Sequence, residues 1–268
     1  MDIEVADRLT RNHILGALPK SELARASAKL APCKLVVRDM MYERDQPIDY
    51  VYFPVEGVIS IVSRVSEHEV IEVATVGNEG MVGLPLFLNS ESTSLDAFAQ
   101  VPGEALRMSA GDFIREIERN GSMVQLLRRY TQALLTQIAQ ASACNRLHTV
   151  EERCARWLLM THDRVSSDTF LLTQQFLAQM LGVRRASVTV TAGALQKAGA
   201  IRYRRGVVTI MDRAQLQEIS CECYGIIVQE YSRLVGATPR AVRRQRAKGN
   251  RSRRKRSGAR AGHGQLKP

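Results

Sequence analysis

QQFLAQMLGVRRASVTVT, residues 174–191, has the spacing of a helix-turn-helix. With Gln174 counted as position one, Ala178 stands at position five, where only a small side chain lets the second helix cross closely. Gly182 stands at position nine, where the tight turn requires the positive φ that glycine tolerates. The apolar residues that would form the inner seam are Leu177, Leu181, Val183 and Val188. Any helical hairpin with glycine in its loop can show this pattern, so the flanking residues must show whether the segment is a DNA-binding motif.

The residues after this segment predict a wing. ALQKAGAI, residues 194–201, ends the second helix at Gly199, and IRYRRGVVTI, residues 201–210, has the pattern of two short strands that turn at Arg205 and Gly206. Arg184 and Arg185 stand at the start of the second helix, the end that enters the DNA major groove in such motifs. An arginine there can pair with guanine O6 and N7. The sequence therefore predicts a winged helix-turn-helix.

Charge is concentrated in the same segment. Residues 173–210 contain six basic residues and no acidic residue. These six are Arg184, Arg185, Lys197, Arg202, Arg204 and Arg205. A charge run of this kind is often only a solvated face, but here it coincides with the two helices and the wing that would face phosphate. We therefore interpret it as a surface for double-stranded DNA.

The net charge of the chain indicates less about its function than the distribution of charge along the sequence does. The 268 residues carry a formal net charge of +11, with 45% apolar content, which suits a globular chain of about two domains. Residues 237–268 hold 12 of the 38 basic groups and no acid, so the remaining chain has 26 basic and 27 acidic groups. This basic tail either adds sequence-independent, salt-sensitive DNA affinity or is a disordered, solubilising extension. The high pI alone does not identify a function.

Several protein classes are disfavoured by composition and motifs. The longest charge-free run, residues 130–145, has only 16 residues and includes polar ones, so no membrane span is predicted. The acidic N-terminus does not resemble a secretory signal, and five cysteines without repeated spacing favour a reducing cytoplasm. We find no Gly-rich phosphate loop, nucleophile elbow or His-x-x-x-His helix, and therefore expect no enzyme.

The rest of the chain divides into strand-rich and helical parts. The first 30 residues have a weak helical pattern, and residues 34–108 read as short strands separated by Gly and Pro. Predicted strands are residues 34–38, 50–54, 58–64, 70–76, 96–101 and 104–108. After Met108 the pattern becomes that of long helices, with one from about Val150 to Arg164.

A coiled-coil seam is predicted in the long central helix. Its residues follow a 4-3-4-3-4 spacing, which favours pairing with a second copy. They are Leu127, Thr131, Leu134, Ile138, Ala141 and Asn145. The alternative is that the same stripe covers the strand-rich domain within a monomer. We predict a homodimer through this helix.

The order of these parts resembles the cyclic-AMP receptor protein and Fnr (Crp/Fnr) family of bacterial transcription regulators over about residues 20–215. The most specific matches are VYFPVEGVIS, residues 51–60, and LTQQFLAQMLGVRRASVTVTAGALQKAGAI, residues 172–201. The resemblance implies an α+β fold with an N-terminal double-stranded β-helix (jelly-roll, cyclic-nucleotide-binding-like) domain, a dimerisation helix and a C-terminal winged helix-turn-helix. The expected boundaries are 1–115, 116–148, 149–236 and the tail 237–268. RNA polymerase is a further partner that the resemblance implies.

The resemblance also implies DNA-contacting roles. Thr173, Gln174 and Ser187 would hold phosphates and Arg185 would read a base. The family's other two base-reading positions, usually Glu and Arg, fall on Ala186 and Val190, so the operator should differ from familiar family sites. The full DNA-contacting set that we assign is Thr173, Gln174, Gln175, Arg184, Arg185, Ser187, Thr189, Lys197, Arg204 and Arg205.

The effector pocket is expected to be degenerate. In cyclic-nucleotide-binding relatives a segment between two roll strands supplies a Glu for the ribose and an Arg-Ser pair for the phosphate. Here Leu84, after Gly83, takes the Glu position, while Leu95 and Asp96 take the Arg and Ser positions. Two leucines and a carboxylate would leave a buried phosphate without a counter-charge. We predict that cyclic AMP does not bind through the usual site.

The cysteines do not predict a cofactor. Cys33 stands alone before residue 144, so the N-terminal cysteine cluster of iron–sulfur relatives is lacking. Cys144 and His148, spaced i, i+4, could share a metal, and Cys221 and Cys223 form a second pair, but neither pair supplies four ligands. We interpret both as ordinary thiols and assign no metal and no cofactor. A ligand- or redox-responsive signalling protein that acts through a protein partner is the alternative function.

Overall fold

The architecture is taken from a computed structural model, in which residues 3–66 and 70–237 are described. The basic tail lies outside the described residues except for Ala237. Three N-terminal helices precede the first strand, as the sequence pattern indicates: α1 (Ile3–Arg11), α2 (His13–Gly16) and α3 (Lys20–Ser27). In the two described ranges, no helix has both the length and the apolar character needed to cross a membrane.

The N-terminal domain is an antiparallel roll of five strands. Its strands are β1 (Ala31–Leu35), β2 (Met40–Tyr42), β3 (Tyr50–Arg64), β4 (Val70–Val76) and β5 (Asp96–Ser109). They are ordered β1-β5-β3-β4, with β2 also paired to β5. Successive residues of β3 from Val51 to Val55 are all buried, so both faces of the strand are covered. The short helix α4 (Leu84–Phe87) follows β4.

Two predicted turns are bulges inside long strands. The sequence pattern separates residues 50–54 from 58–64 and residues 96–101 from 104–108, but β3 and β5 each run through as one paired strand. The ladder shifts register between Glu56 and Val58. Gly57 has a φ of +100°, and a Cβ at Gly103 would lie 2.1 Å from the Glu56 carbonyl oxygen. These glycines therefore permit a close backbone approach rather than a chain reversal.

The long central helix packs into its own chain. The helices after the roll are α5 (Ala110–Ile117) and α6 (Ser122–Leu147). Leu127 and Leu134 of the predicted seam are 0% and 5% exposed within this single chain. The Tyr130 ring lies 6.4 Å from the Tyr231 ring, and the Tyr130 hydroxyl donates to the Met81 carbonyl at 2.9 Å. For Leu127 and Leu134 the assignment to a dimer seam is therefore wrong, since the monomer's own core already covers them.

The C-terminal domain contains the predicted winged helix-turn-helix. Its elements are α7 (Val150–His162), β6 (Thr169–Leu171), α8 (Gln174–Leu181), α9 (Arg185–Lys197), β7 (Ile201–Arg204), β8 (Val207–Ile210), α10 (Arg213–Ile219) and α11 (Cys223–Val235). The three strands form an antiparallel sheet ordered β6-β8-β7. The helix α11 packs along α6. The predicted α+β class and the order roll, long helix, winged helix-turn-helix are confirmed.

Buried and part-buried hydrogen bonds join this domain to the roll. Arg164, just after α7, donates from Nη2 to Glu79 Oε1 at 2.7 Å and from Nη1 to the Thr75 hydroxyl at 2.6 Å. Trp157 donates from Nε1 to Glu72 Oε1 at 2.9 Å. Ser60 donates from Oγ to the other Glu72 oxygen at 2.7 Å. Hydrogen bonds of this kind fix orientation because each buried group requires its partner.

We expect Glu72→Gln to stabilise the protein at pH 8 by about 1 to 3 kcal/mol and to have little effect at pH 4. Burial raises the pKa of Glu72 from 4.5 to about 7, despite hydrogen bonds from Ser60 and Trp157. Between these values the folded chain retains a proton that the unfolded chain has released, so stability is lost as pH rises. The amide removes this dependence. Urea unfolding at both pH values measures it.

Glu118→Gln, a substitution of the same kind at an exposed position, serves as the control. An equal effect of Glu72→Gln at pH 4 and pH 8 would contradict the interpretation.

Candidate nucleic-acid interface

The first helix of the motif begins at a hydrogen-bonded cap. Thr173 is the N-cap of α8, and its hydroxyl accepts from the Phe176 backbone N–H at 3.1 Å. Gln174 accepts at Oε1 from the Thr189 hydroxyl at 2.8 Å, which ties the start of α8 to the second helix. Thr173, Gln175 and Thr189 are exposed, while Gln174 is half-buried. The cap therefore places free backbone and side-chain donors at one end of the motif.

The turn between the two helices requires glycine for its conformation. Gly182 adopts φ +62° and ψ +40°, the left-handed conformation that ends α8. A Cβ at this position would meet no atom within 4 Å, so backbone conformation and not space selects glycine. The Val183 N–H donates to the Ala178 carbonyl at 2.9 Å, which closes the turn. Arg153 of α7 donates to the Leu181 carbonyl from beneath.

The second helix presents its first turn to solvent. Arg184 is the N-cap of α9, Arg185 is its first residue, and both side chains are exposed. Val188 and Leu195 on the opposite face are 0% exposed and hold the helix in the core. Val190, on the outer face of α9, is 75% exposed.

The wing is a tight hairpin with two arginines at its end. Arg204 ends β7, and the turn passes through Arg205 at φ +51° and Gly206 at φ +75°. Two consecutive positive φ values match the turn type that suits strand twist. Tyr203 holds the hairpin against the motif, because its hydroxyl donates to the Leu172 carbonyl at 2.6 Å. Its backbone N–H donates to Gln196 Oε1 at 2.9 Å.

The cationic side chains of this surface carry charge that the described part of the chain does not neutralise. All six basic residues of 173–210 are exposed. Within residues 3–66 and 70–237, no carboxylate forms a salt bridge with any of them. Their charge is therefore available to an external polyanion. Ser187 is half-buried near the same helix start, and Lys197 lies at the far end of α9.

Sequence reasoning missed the residues that support this surface. Gln196 and Tyr203 lock the wing to α9, and Arg153 supports the turn, although none of them belongs to the predicted contact set. Their contacts span 7 to 31 positions along the chain. A spacing pattern within one helix cannot reveal contacts of that kind.

The degenerate effector positions lie between α4 and the start of β5. Gly83 adopts φ +102° before α4, and Leu84 and Leu95 are half-buried. The Asp96 carboxylate is 3% exposed and accepts from Arg64 Nη2 at 2.9 Å and from the Arg44 N–H at 2.8 Å. Asp96 is thus part of an internal ion pair. That cyclic AMP does not use this site stays a prediction.

The two cysteine pairs are not separate. The structure brings Cys144, His148, Cys221 and Cys223 into one cluster, in which the potential ligand atoms all lie within 4.8 Å of one another. Neither pair supplies four ligands by itself, but the fold brings the two pairs together into one group of four.

Comparisons with known proteins agree with this architecture. Residues 34–120 match the model of the cyclic nucleotide-binding domain, and residues 152–219 match that of the Crp-like helix-turn-helix domain. Together these matches span more than half of the chain. A search of curated proteins gives no match.

Solved structures show the same fold at low identity. FixK2 from Bradyrhizobium japonicum is 18% identical with a TM-score of 0.60, covering 72% of this chain and 98% of its own. The c-di-GMP responsive global regulator CLP from Xanthomonas campestris is 15% identical with a TM-score of 0.56, covering 72% and 100%. A transcriptional regulator of the CRP/FNR family from Thermus thermophilus is 17% identical with a TM-score of 0.54, covering 71% and 98%.

Proposed function

Since this chain belongs to the Crp/Fnr family of transcription regulators, we propose that it is a sequence-specific DNA-binding protein that acts as a homodimer. The observation that carries the proposal is the surface formed by α8, α9 and the wing. Six exposed basic side chains lie there, and the described residues provide no carboxylate to neutralise them. Phosphate contacts from such groups supply affinity, while side chains at the start of α9 supply specificity.

The roles of individual residues follow from their positions. Arg185, in the first turn of α9, reads a base edge in the major groove. Arg184, Lys197, Arg204 and Arg205 attract phosphates. Thr173 and Gln175, which are exposed at the start of α8, donate hydrogen bonds to DNA phosphates, whereas Thr189 already donates its hydroxyl hydrogen to Gln174 and holds that side chain in place. Ala186 and Val190 together offer an apolar surface of the kind that contacts a thymine methyl.

A selection of bound sequences from a random duplex pool tests the function, using the full-length protein at a salt concentration that suppresses non-specific binding. We expect enrichment of a two-fold symmetric site whose half-sites lie about one helical turn apart. A pool that stays random over repeated rounds would contradict the proposal, and would favour a signalling protein that acts through a protein partner.

The dimer contact is proposed on a face of α6 that the chain leaves accessible. Thr131, Ile138 and Asn145 of the predicted seam are half-buried or exposed, and with Leu135 and Ser142 they form a 4-3-4-3 stripe. Leu135 is 56% exposed in the single chain. Apolar residues at heptad spacing are the usual basis of helix pairing, and Leu135 and Ile138 are the apolar members of this stripe. Leu135 and Ser142 each follow a residue of the predicted seam by one position, so this stripe lies on a neighbouring face of the helix.

We expect Leu135→Asp to dissociate the dimer, because each protomer would bring an unpaired carboxylate to the symmetric contact. Sedimentation equilibrium should show the wild type at twice the chain mass and the variant at the chain mass. Leu147→Asp is the control, since Leu147 is 75% exposed but lies outside the stripe. A wild-type monomer, or a Leu135→Asp dimer as tight as the wild type, would contradict the proposed contact.

A further inference from the structure

Four potential metal ligands meet where the roll's long helix adjoins the C-terminal domain. Cys144 and His148 come from the last turn and C-cap of α6, while Cys223 begins α11 and Cys221 lies two residues before it. The three cysteines are 0%, 4% and 2% exposed and form a cluster separate from the main core. The His148 side chain is 15% exposed. Three buried thiols beside an imidazole are the donor set of a structural zinc site.

The distances fit one tetrahedral ion. The Cys144 and Cys221 Sγ atoms are 3.5 Å apart, and Cys223 Sγ lies 3.7 Å from His148 Nδ1. With Zn–S bonds of about 2.3 Å and Zn–N bonds of about 2.0 Å, ligand atoms at tetrahedral angles are roughly 3.5 to 3.8 Å apart. Because no pair of ligand atoms in the cluster exceeds 4.8 Å, all four can reach a common ion by small side-chain rotations.

A carboxylate lies near the ring nitrogen of His148 that does not face the thiols. His148 Nε2 lies 3.3 Å from Glu222 Oε1, while Nδ1 faces the thiols. A carboxylate that accepts a hydrogen bond from the Nε2–H group favours the tautomer in which Nδ1 carries a free lone pair for a metal ion. Glu222 stands between Cys221 and Cys223 in the sequence, so this three-residue segment supplies two thiols and the carboxylate next to His148.

The guanidinium of Arg156 lies beside the cluster and brings a positive charge to it. Arg156 has a buried Nε with no hydrogen-bond partner in the described structure. Three thiolates, one neutral imidazole and a divalent ion carry a net charge of −1, which this guanidinium offsets.

We propose that Cys144, His148, Cys221 and Cys223 bind one Zn²⁺ ion per chain. Binding forms three Zn–S bonds and one Zn–N bond and releases the protons of the three thiols to solvent, with no change of oxidation state. The ion lies beside the connection at His148 and Thr149, where α6 ends and α7 begins. It thereby links the long helix to the end of the DNA-binding domain. The proposal does not depend on DNA binding.

The test is metal content and cobalt substitution of the full-length protein. Elemental analysis of the reduced protein, purified without chelators, should give one zinc per chain. After removal of zinc, titration with Co²⁺ should produce the visible absorption of tetrahedral thiolate-bound cobalt, saturating at one equivalent. Addition of Zn²⁺ should abolish that absorption. Both measurements use the wild type, so they decide the proposal even if ligand variants fail to fold.

Single substitutions identify the ligands. We expect Cys223→Ser and Cys144→Ser to lower the affinity for Co²⁺ by more than about 100-fold, and Glu222→Gln to lower it by about 10- to 100-fold. Cys154→Ser, a buried cysteine outside the cluster, should bind as the wild type does. Absence of cobalt binding by the wild type, a Cys144–Cys221 disulfide in protein purified in the presence of a thiol reductant, or the absorption of an iron–sulfur cluster would each overturn the proposal.

Discussion

Replacing Glu79 by alanine is expected to lower the free energy of unfolding by about 3 to 5 kcal/mol, because it leaves the Arg164 guanidinium buried without its counter-ion. Both side chains are nearly inaccessible, with 9% and 6% of their surface exposed. Burial alone would raise the pKa of Glu79, but the charge and hydrogen bonds of Arg164 outweigh it and lower that pKa. Glu79 is therefore ionised at neutral pH. Urea unfolding at pH 7 measures the loss.

The size of this effect follows from how completely the guanidinium is bonded. Arg164 donates to Glu79 from Nε and Nη2 and to Thr75 from Nη1 and Nη2. A Cβ at Gly77 would lie 2.4 Å from the Arg164 side chain, so the arginine is enclosed and cannot turn to water. Because Arg164 follows α7 and Glu79 follows β4, the loss should also loosen the join between the domains.

Two variants test this explanation. Glu79→Gln combined with Arg164→Met should be less destabilising than Glu79→Ala, since it leaves no buried charge unpaired. Glu230→Ala removes an exposed ion pair with Arg233 at 2.8 Å and should leave the unfolding midpoint unchanged. If Glu79→Ala and Glu230→Ala shift the midpoint equally, the buried pair does not join the domains in the way proposed.

Arg185→Ala is expected to weaken binding to the selected duplex by about 1 to 3 kcal/mol and to relax the preference at one base pair. Arg185 lies in the first turn of α9 and is exposed, with no salt bridge to a carboxylate among the described residues. The reason for the specific effect is that a guanidinium can make two hydrogen bonds to guanine. Fluorescence anisotropy on duplexes with single base changes measures it.

Arg204→Ala is the matched control, because Arg204 lies on the wing and is assigned to phosphate. It should weaken all duplexes alike and reduce the slope of log affinity against log salt by about one. Equal losses on every sequence for both variants would contradict the assignment of Arg185 to a base.

The helix-turn-helix could be predicted because its determinants are local. Ala178 and Gly182 are fixed by steric needs within a few residues, and Gly182 does adopt the required positive φ. The wing turn at Arg205 and Gly206 was predictable for the same reason. The exposure of the six basic residues followed from the lack of acids in the segment, since isolated charges are seldom buried.

Non-local packing accounts for what the sequence did not reveal. The stripe on α6 has heptad spacing, but spacing does not say which partner covers it, and Leu127 and Leu134 are buried within their own chain. Glycine marks a turn in most sequences, whereas Gly57 permits a bulge in a continuous strand. Cys144 and Cys221 are 77 positions apart, so only the fold shows that the two cysteine pairs meet.

The ratio of the affinities for two duplexes tests most directly whether the chain binds DNA in a sequence-specific way. One duplex carries the selected two-fold symmetric site, and the other has the same length and composition with both half-sites scrambled. At equal salt, the full-length protein should bind the first at least about a thousandfold more tightly than the second. Equal affinity for the two duplexes would mean that the basic surface binds only phosphate, and that the chain is not a sequence-specific regulator.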